Sequence, residues 1–330
     1  MRRKIVSEVE AKKFFEFIGK SKTFFISGHV RPDGDTVGSS LALKHFLNKI
    51  GKKDVDITMR EKLPSNYNFL PSVESITVAN KVSKKYDLAL ILECSDISRM
   101  GLDVNLDNFN RGIVIDHHQT NKIKKYNNNW INITYPEMAS CAEIIFEIFK
   151  KGRVQIDKEI ALCLYVGIVT DTGKFQWSNT NSHSFSTASE LLKYGINTFD
   201  VYRNIYGNKS VKSLLLLGEV LRTLKREKVG NVWISYIYVS YDMYKKTATT
   251  VKDTEEFINY ATSVKDTDVA VFFKEDGKNI RVSFRSDKID VGRVAEYFGG
   301  GGHRNASGTT IEGSFTTVKK KVWDFIREIS

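Results

Sequence analysis

The run GIVIDHH places Asp116, His117 and His118 directly at the end of an apolar stretch, and three other stretches of the chain end in the same way. They supply His29, Asp33 and Asp35 in SGHVRPDGD, Glu93 and Asp96 in LALILECSD, and Asp171 in LYVGIVTDTG. A parallel sheet whose strands end together carries such residues on one rim. This many carboxylates converging without cations would repel strongly. Divalent metal ions resolve the repulsion, and paired metals point to hydrolysis of a phosphate ester.

The rest of the first two-thirds of the chain fits that sheet. TFFISG, KKDVDITM, YDLALILEC and GIVIDHH read as strands. TVGSSLALKHFLNKI, MASCAEIIFEIFKK, DKEIALCLYVGIVT and SFSTASELLKYG read as helices. Continuous apolar strands interleaved with helices predict an α/β fold with a parallel sheet covered on both faces. After about residue 205 the pattern changes. NKSVKSLLLLGEVLRTLKREK reads as one long amphipathic helix, a connector between two regions. Shorter strand-like segments follow: WISYIYVS, DVAVFFKED and KNIRVSFRSD. The last two flank Asp276-Gly277, a hairpin signal, and DVGRVAEYFGG is a helix running into four glycines.

Length and composition set the class. At 330 residues two domains are expected, and 41% hydrophobic with 27% charged residues is globular. The longest apolar runs, about eight residues, are far short of a membrane span, and the N-terminus lacks a signal-peptide core, so a cytoplasmic enzyme is expected. Cys94, Cys141 and Cys163 are odd in number and widely spaced, which predicts reduced thiols. The net charge of +11 favours an anionic partner. No basic–aromatic stripe marks a groove for long nucleic acid.

The chemistry starts at His29-x-x-x-Asp33-x-Asp35. Pro32 and Gly34 permit a tight loop, so the two carboxylates are free to serve different metals while His29 joins the first. This oxygen and nitrogen mix suits Mn²⁺, with Mg²⁺, Fe²⁺ or Co²⁺ as competitors. The competing role for Asp33 is a helix cap. Asp116 either ligates or orients a neighbouring imidazole. In GGGGHRNASG, residues 299–308, Gly301 and Gly302 allow close approach of backbone N–H groups to a phosphate, and His303 follows at once. Arg285-Ser286 closes a strand, and the Arg fork matches a terminal phosphate.

The ordered motifs HVRPDGD, LECSD, DHH, TDTGKF and GGGGHRNASG resemble the DHH family of phosphoesterases with a DHHA1 domain, in particular its short two-domain members. These act as nanoRNases, nucleotide phosphatases and cyclic-dinucleotide phosphodiesterases. The resemblance implies an α/β catalytic domain over 1–205, a linker helix over 206–228, and a smaller α/β substrate-binding domain over 229–330. It implies that His29 and Asp33 hold one Mn²⁺, that Asp35, His117 and Asp171 hold a second, and that position 93 bridges both. His118 would contact the phosphoryl group or assist the leaving oxygen. The family usually carries Asp where this chain has Glu93; the longer side chain still spans two metals if its strand end sits back. Asp96 is the competing bridge. Arg31 stands where small or amide residues are common.

The expected mechanism is in-line attack by a metal-bridging hydroxide, with His118 and the cations stabilising the developing charge. Arg99 is a further candidate near the cleft, its alternative role a structural ion pair. Arg285, Ser286, Gly301, Gly302 and His303 would anchor a second phosphate or ribose. The expected substrates are short oligoribonucleotides and dinucleotides of the pApA type, cleaved to nucleoside monophosphates. Alternatives are cyclic di-AMP, removal of the 3′-phosphate of adenosine 3′,5′-bisphosphate, and a catalytically silent nucleotide-binding module. No membrane or long duplex nucleic acid is expected as a partner, and a homodimer is left open.

Overall fold

The computed structural model describes residues 6–94, 96–118, 129–302 and 304–329, and the chain divides into two compact units, 1–208 and 209–330. In the first, the strands are β1 (Thr23–Ser27), β2 (Asp54–Met59), β3 (Ile76–Val78), β4 (Lys81–Val82), β5 (Tyr86–Leu92), β6 (Asp103–Val104), β7 (Phe109–Asp116) and β8 (Trp130–Thr134). Six of them form one parallel sheet in the order β3-β2-β1-β5-β7-β8, with β4 and β6 paired apart. The chain order turns back between β1 and β5, so the strand direction of travel across the sheet switches there. A crevice opens beyond the carboxyl ends of strands at such a point.

Both faces of this sheet are buried, which is why its strands read as unbroken apolar runs. Phe24, Ile26, Leu88, Leu90, Leu92, Ile113 and Ile115 face the larger core. Phe25, Ala89, Ile91 and Val114, one residue out of step, face the smaller one with Ile97, Met100 and Leu102. The larger core is closed by α1 (Glu8–Gly19), α2 (Gly34–Lys49), α3 (Cys141–Lys151) and α4 (Lys158–Asp171); α5 (Ser182–Leu192) and α6 (Thr198–Ile205) complete the unit. Two glycines let α2 and α4 touch. A Cβ on Gly38 would lie 2.3 Å from the Cys163 carbonyl oxygen, and one on Gly167 would lie 2.5 Å from Asp35 Oδ1. Glycine is required there for the helices to approach, and the approach brings the start of α2 to the end of α4.

The second unit begins with α7 (Val211–Leu221) and continues through β9 (Lys225–Val229), β10 (Val232–Val239), α8 (Tyr241–Thr247), α9 (Ile258–Thr262), β11 (Val269–Asp276), β12 (Asn279–Arg285), α10 (Val291–Tyr297), β13 (Gly301–Gly302), β14 (Ala306–Glu312) and α11 (Phe315–Ile329). Its mixed sheet runs β13-β14-β12-β11-β10-β9. Val271, Phe273, Val282 and Phe284 meet α10 and α11, while Ala270 and Phe272 meet α7, α8 and α9. Asp276 pairs with Asn279 around the positive-φ Gly277, the hairpin expected from the sequence.

The long helix expected over 206–228 is not formed at that length. It runs only Val211–Leu221, and Lys225–Val229 is an edge strand antiparallel to β10. Lys-Arg-Glu-Lys favours a helix intrinsically. Tertiary partners override that preference: Arg226 stacks 4.0 Å over the Trp233 ring, and Glu227 accepts hydrogen bonds from Tyr236 (2.6 Å), Lys319 (2.7 Å) and the Trp323 indole (2.9 Å). The charge also protects an exposed sheet edge.

Candidate metal centre

Each of the four segments singled out in the sequence delivers a side chain to one place. After β1 the chain loops back, fixed by Val30 N–H donating to the Arg99 carbonyl at 2.8 Å. This loop presents His29, and Asp33 follows as the cap of α2. The cap role leaves the second oxygen facing the cluster: Asp33 Oδ1 accepts the Thr36 N–H at 2.9 Å, while Oδ2 lies 3.4 Å from His29 Nε2. Asp35, one residue into α2, is fully buried.

After β5 comes Glu93, held in the left-handed region at φ 60° by its N–H donating 2.9 Å to the Ile115 carbonyl. A non-glycine residue there carries strain, and such strain gathers at functional sites. Glu93 is 1% exposed, and its two oxygens face opposite ways: Oε2 is 3.7 Å from His29 Nε2, and Oε1 is 3.3 Å from His117 Nε2. His117 Nε2 is also 3.3 Å from Asp171 Oδ2. Asp171 is the last residue of α4, the helix expected from DKEIALCLYVGIVT, so this donor comes from a helix end and not from a strand end.

Three donor triads result: His29–Asp33–Glu93, Asp35–His117–Asp171 and Glu93–His117–His118, the ligand atoms of each lying within 4.8 Å of one another. Glu93 belongs to two of them. Asp96 belongs to none of these triads; it caps the short helix 97–100, accepting the Ser98 N–H at 3.0 Å. Asp116 is fully buried behind the cluster and holds His118, accepting from its backbone N–H at 3.1 Å and lying 2.6 Å from Nδ1. That is the orienting role, and it leaves Nε2 as the remaining nitrogen of the ring. Arg99 and Arg31 are exposed at the surface; what Arg99 contributes is its carbonyl.

The electrostatics describe a site holding protons where cations belong. Burial pushes the Asp35 carboxyl well above its ordinary value, and the charge of Glu93 adds to it. Burial likewise pushes Asp171 up to about 8, against the pull of His117. Burial opposes charge on His29 too, but hydrogen bonds to Asp33 and Glu93 outweigh it and raise the imidazole to about 10. His117 is raised well above its usual range against burial, chiefly by Asp171 and Glu93. Glu93 itself is held well below the usual range, because His117 and His29 outweigh its burial. Glu93 Oε1 and His117 Nε2 face each other but are not aligned as a hydrogen bond, and neither has another such partner among the described residues. Buried, unsatisfied and convergent, these atoms fit metal ligation. Ionised Asp33, Asp35, Glu93 and Asp171 carry the charge that two divalent ions would balance.

Two features of the site were not read from the sequence. The N-terminus of α3 points at Asp35, whose oxygens accept from Cys141 N–H at 2.6 Å and Ala142 N–H at 3.0 Å, with Ser39 Oγ adding a third bond at 3.0 Å. These donors favour the carboxylate form and orient it. Glu143, in the first turn of α3, is fully buried; Oε2 accepts the Ala139 N–H at 3.1 Å, and its charge acts on Asp171. The capping pattern Ser140-x-x-Glu143 was the available signal.

In the second unit, Arg285 is half-buried at the end of β12 and donates from Nη1 to the Phe284 carbonyl at 2.9 Å. The Ser286 hydroxyl is engaged locally: it donates to the Asp268 carbonyl at 2.7 Å and accepts from Lys288 and Ile289 N–H at 3.1 and 3.0 Å. Gly301 and Gly302 pair with Gly308 and Ser307 as an exposed edge strand. His303 lies outside the described residues. The three cysteines are free and buried, and among the described residues no helix is long and apolar enough to cross a membrane.

Comparison with known proteins agrees with both halves. The DHH family N-terminal domain matches residues 23–168 and the DHHA1 domain matches residues 230–328. The crystal structure of an exopolyphosphatase-related protein from Bacteroides fragilis superposes with a TM-score of 0.86 at 30% identity, covering 99% of this chain and 98% of that one. The bifunctional oligoribonuclease and PAP phosphatase NrnA of Thermus thermophilus is 28% identical, over 92% of this chain and 89% of its own length. The Bacillus subtilis protein of the same name is 26% identical over 88% and 89%. With its ordered motifs, its parallel sheet and both domains matched, the chain belongs to the DHH family of phosphoesterases and carries a DHHA1 domain.

Proposed function

We propose that this chain is a divalent-metal phosphodiesterase that cleaves short oligoribonucleotides and dinucleotides of the pApA type to nucleoside monophosphates. The observation that carries this reading is Glu93, whose two carboxylate oxygens face His29 on one side and His117 on the other. His29, Asp33 and Glu93 would hold one ion, and Asp35, His117 and Asp171 the other, with Glu93 shared. Mn²⁺ suits this mixture of imidazole and carboxylate. When bound, such ions supply Lewis-acid activation of the nucleophile and of the phosphoryl oxygens.

The chain's own residues then have separable tasks. Asp116 fixes the His118 ring, so that Nε2 is presented to the phosphoryl group or to the leaving oxygen. The α3 N-terminus holds Asp35 in position. The burial of Asp35, of Glu93 and of the His117 Nε2 atom keeps water away from the charges they present. Arg285 and the Gly301–Gly302 strand offer a separate hold on a phosphate, with Ser286 shaping the loop beside them. The Arg99 side chain is assigned no chemical step.

Removal of the 3′-phosphate from adenosine 3′,5′-bisphosphate is the second reading, supported by the two activities in the relatives' names. The test is a side-by-side rate comparison with Mn²⁺ of pApA, cyclic di-AMP, a five-nucleotide RNA and adenosine 3′,5′-bisphosphate. The highest kcat/KM is expected for pApA. A higher value for either the cyclic dinucleotide or the bisphosphate would replace the leading reading with that one.

A further inference from the structure

Asp171 is the last residue of α4, so its carbonyl has no partner within the helix. An unheld helix end frays, and a donor carried on it loses its place. Here an amide from outside the helix holds it. Asn179 Nδ2 donates to the Asp171 carbonyl at 2.8 Å and to the Ala139 carbonyl at 3.1 Å. Ala139 lies just before α3, and its N–H donates to Glu143 Oε2 at 3.1 Å. Both backbone groups of Ala139 are therefore held by side chains, one from α3 and one from the loop after α4.

The same stretch holds the other carboxylate of that donor triad, because Cys141 and Ala142 N–H donate to Asp35. Asp35 and Asp171 belong to α2 and α4, and residues 139–142 are tied to both. Two of the three donors in Asp35–His117–Asp171 are thus referred to one short piece of backbone. The other side of the cluster is independent of it. Among the described residues no hydrogen bond joins His29, Asp33 or Glu93 to Asn179 or to residues 139–142.

The chain adopts an unfavourable conformation to bring Asn179 there. Gly173, Lys174 and Phe175 are all left-handed, at φ 54°, 63° and 63°. Two of the three are non-glycine residues, which rarely take that conformation. The turn folds the loop back onto α4: Lys174 N–H donates to the Val169 carbonyl at 2.8 Å, and Trp177 N–H to the Thr172 carbonyl at 3.0 Å. From the other side, Asn181 Nδ2 donates to the Asn179 carbonyl at 3.1 Å, while Asn181 Oδ1 caps α5. Asn179 is fixed between α4 and α5, yet it is exposed and belongs to neither core of this unit.

We propose that Asn179 is a positioning residue for one ion of the metal centre, clamping the Asp171 end of α4 to the stretch that holds Asp35. The proposal rests on the two-metal reading above and concerns only the ion assigned to Asp35, His117 and Asp171. Acting through two carbonyls, Asn179 sets the affinity of that ion and leaves substrate capture alone.

The test uses full-length protein and Asn179→Ala, with Mn²⁺ binding followed by the electron paramagnetic resonance of the free ion. The wild type should show two sites. In Asn179→Ala one site should weaken by about tenfold and the other by less than about twofold. Hydrolysis of pApA should fall at low Mn²⁺ and return to within about twofold of wild type at high Mn²⁺, with KM unchanged. Rescue by excess metal and loss at one site of two are results that a general loosening of the loop would not give. Unchanged binding, equal weakening of both sites, or a loss of rate that excess Mn²⁺ does not restore overturns the proposal. So does a variant that loses its fold by far-UV circular dichroism, which would assign Asn179 to stability. A wild type with one site sinks the two-metal reading, and Asn179 is then judged on that single ion: weakening by about tenfold sustains its role, and unchanged affinity overturns it. A wild type that binds no Mn²⁺ sinks both.

Discussion

The two units solve opposite electrostatic problems. The first gathers Asp33, Asp35, Glu93 and Asp171 with three imidazoles, an excess of negative groups. The second leaves Lys274 and Arg285 half-buried on one sheet face with no acidic partner among the described residues. Neither arrangement is the most stable one available to the fold, because like charges repel more strongly as water is withdrawn. An acidic cluster is relieved by cations and a basic face by anions. The lesson is that a site shows itself through what it leaves unbalanced: an alanine or leucine at position 274 would serve β11 better.

The largest effect that sharpens this contrast is at the acidic pole. Asp33→Ala or Asp171→Ala should lower the rate by roughly several orders of magnitude, since each empties or distorts one donor triad. Steady-state hydrolysis of pApA with saturating Mn²⁺ checks it. A loss below about tenfold would mean that the triads are not the reaction centre.

Glu93 tests the bridge within that pole. Glu93→Gln removes the charge shared by two triads and should leave activity close to background, whereas Glu93→Asp, the shorter carboxylate, should remain measurable. Asp96→Asn should stay near the wild-type rate. The reverse pattern, with Gln active and Asp96→Asn dead, would move the bridge to Asp96.

The basic pole should respond differently. Arg285→Ala removes a charge-assisted pair with phosphate worth about 1.5–3 kcal/mol. That corresponds to roughly a ten- to hundredfold loss of kcat/KM on pApA. A generic aryl phosphodiester, which has no second phosphate, should lose far less. Equal losses would assign Arg285 to the stability of the second unit instead.

The smallest expected effect is a pH dependence of metal uptake. Without metal, the Asp171 carboxyl at about 8 and the His29 imidazole at about 10 retain protons at pH 7. An ion must displace them, so affinity rises with pH until each group has titrated. Between pH 6.5 and 8 Mn²⁺ affinity should increase by about tenfold or more. A flat profile in calorimetry would mean that these groups are already deprotonated.

Much of the first unit was legible because its strands are buried on both faces. That burial forces continuous apolar runs, and the polar residues that interrupt them stand out at the strand ends. His29, Glu93 and His117 were found in this way. The donor Asp171 ends a run whose helical spacing was read correctly, and its motif placed it with the strand-end donors. The cradle of N–H groups around Asp35 was not legible, since it depends on where α3 begins relative to α2, more than a hundred residues apart. Gly38 and Gly167 read as ordinary helix-weakening glycines until the close contact of α2 with α4 is seen. In the second unit, Lys225–Val229 was misread because its charged residues gain their meaning from Trp233, Tyr236 and Trp323. Lys274 passed as one lysine among many, because only the strand register sets it opposite Arg281.

The number of ions held by the acidic cluster distinguishes a shared two-metal centre from a single-ion site. Equilibrium dialysis of the full-length protein against Mn²⁺, with metal content measured per chain, should give two ions for the wild type and at most one for Glu93→Gln at the same free metal concentration. One ion or none in the wild type, or undiminished occupancy in Glu93→Gln, would contradict a shared two-metal centre.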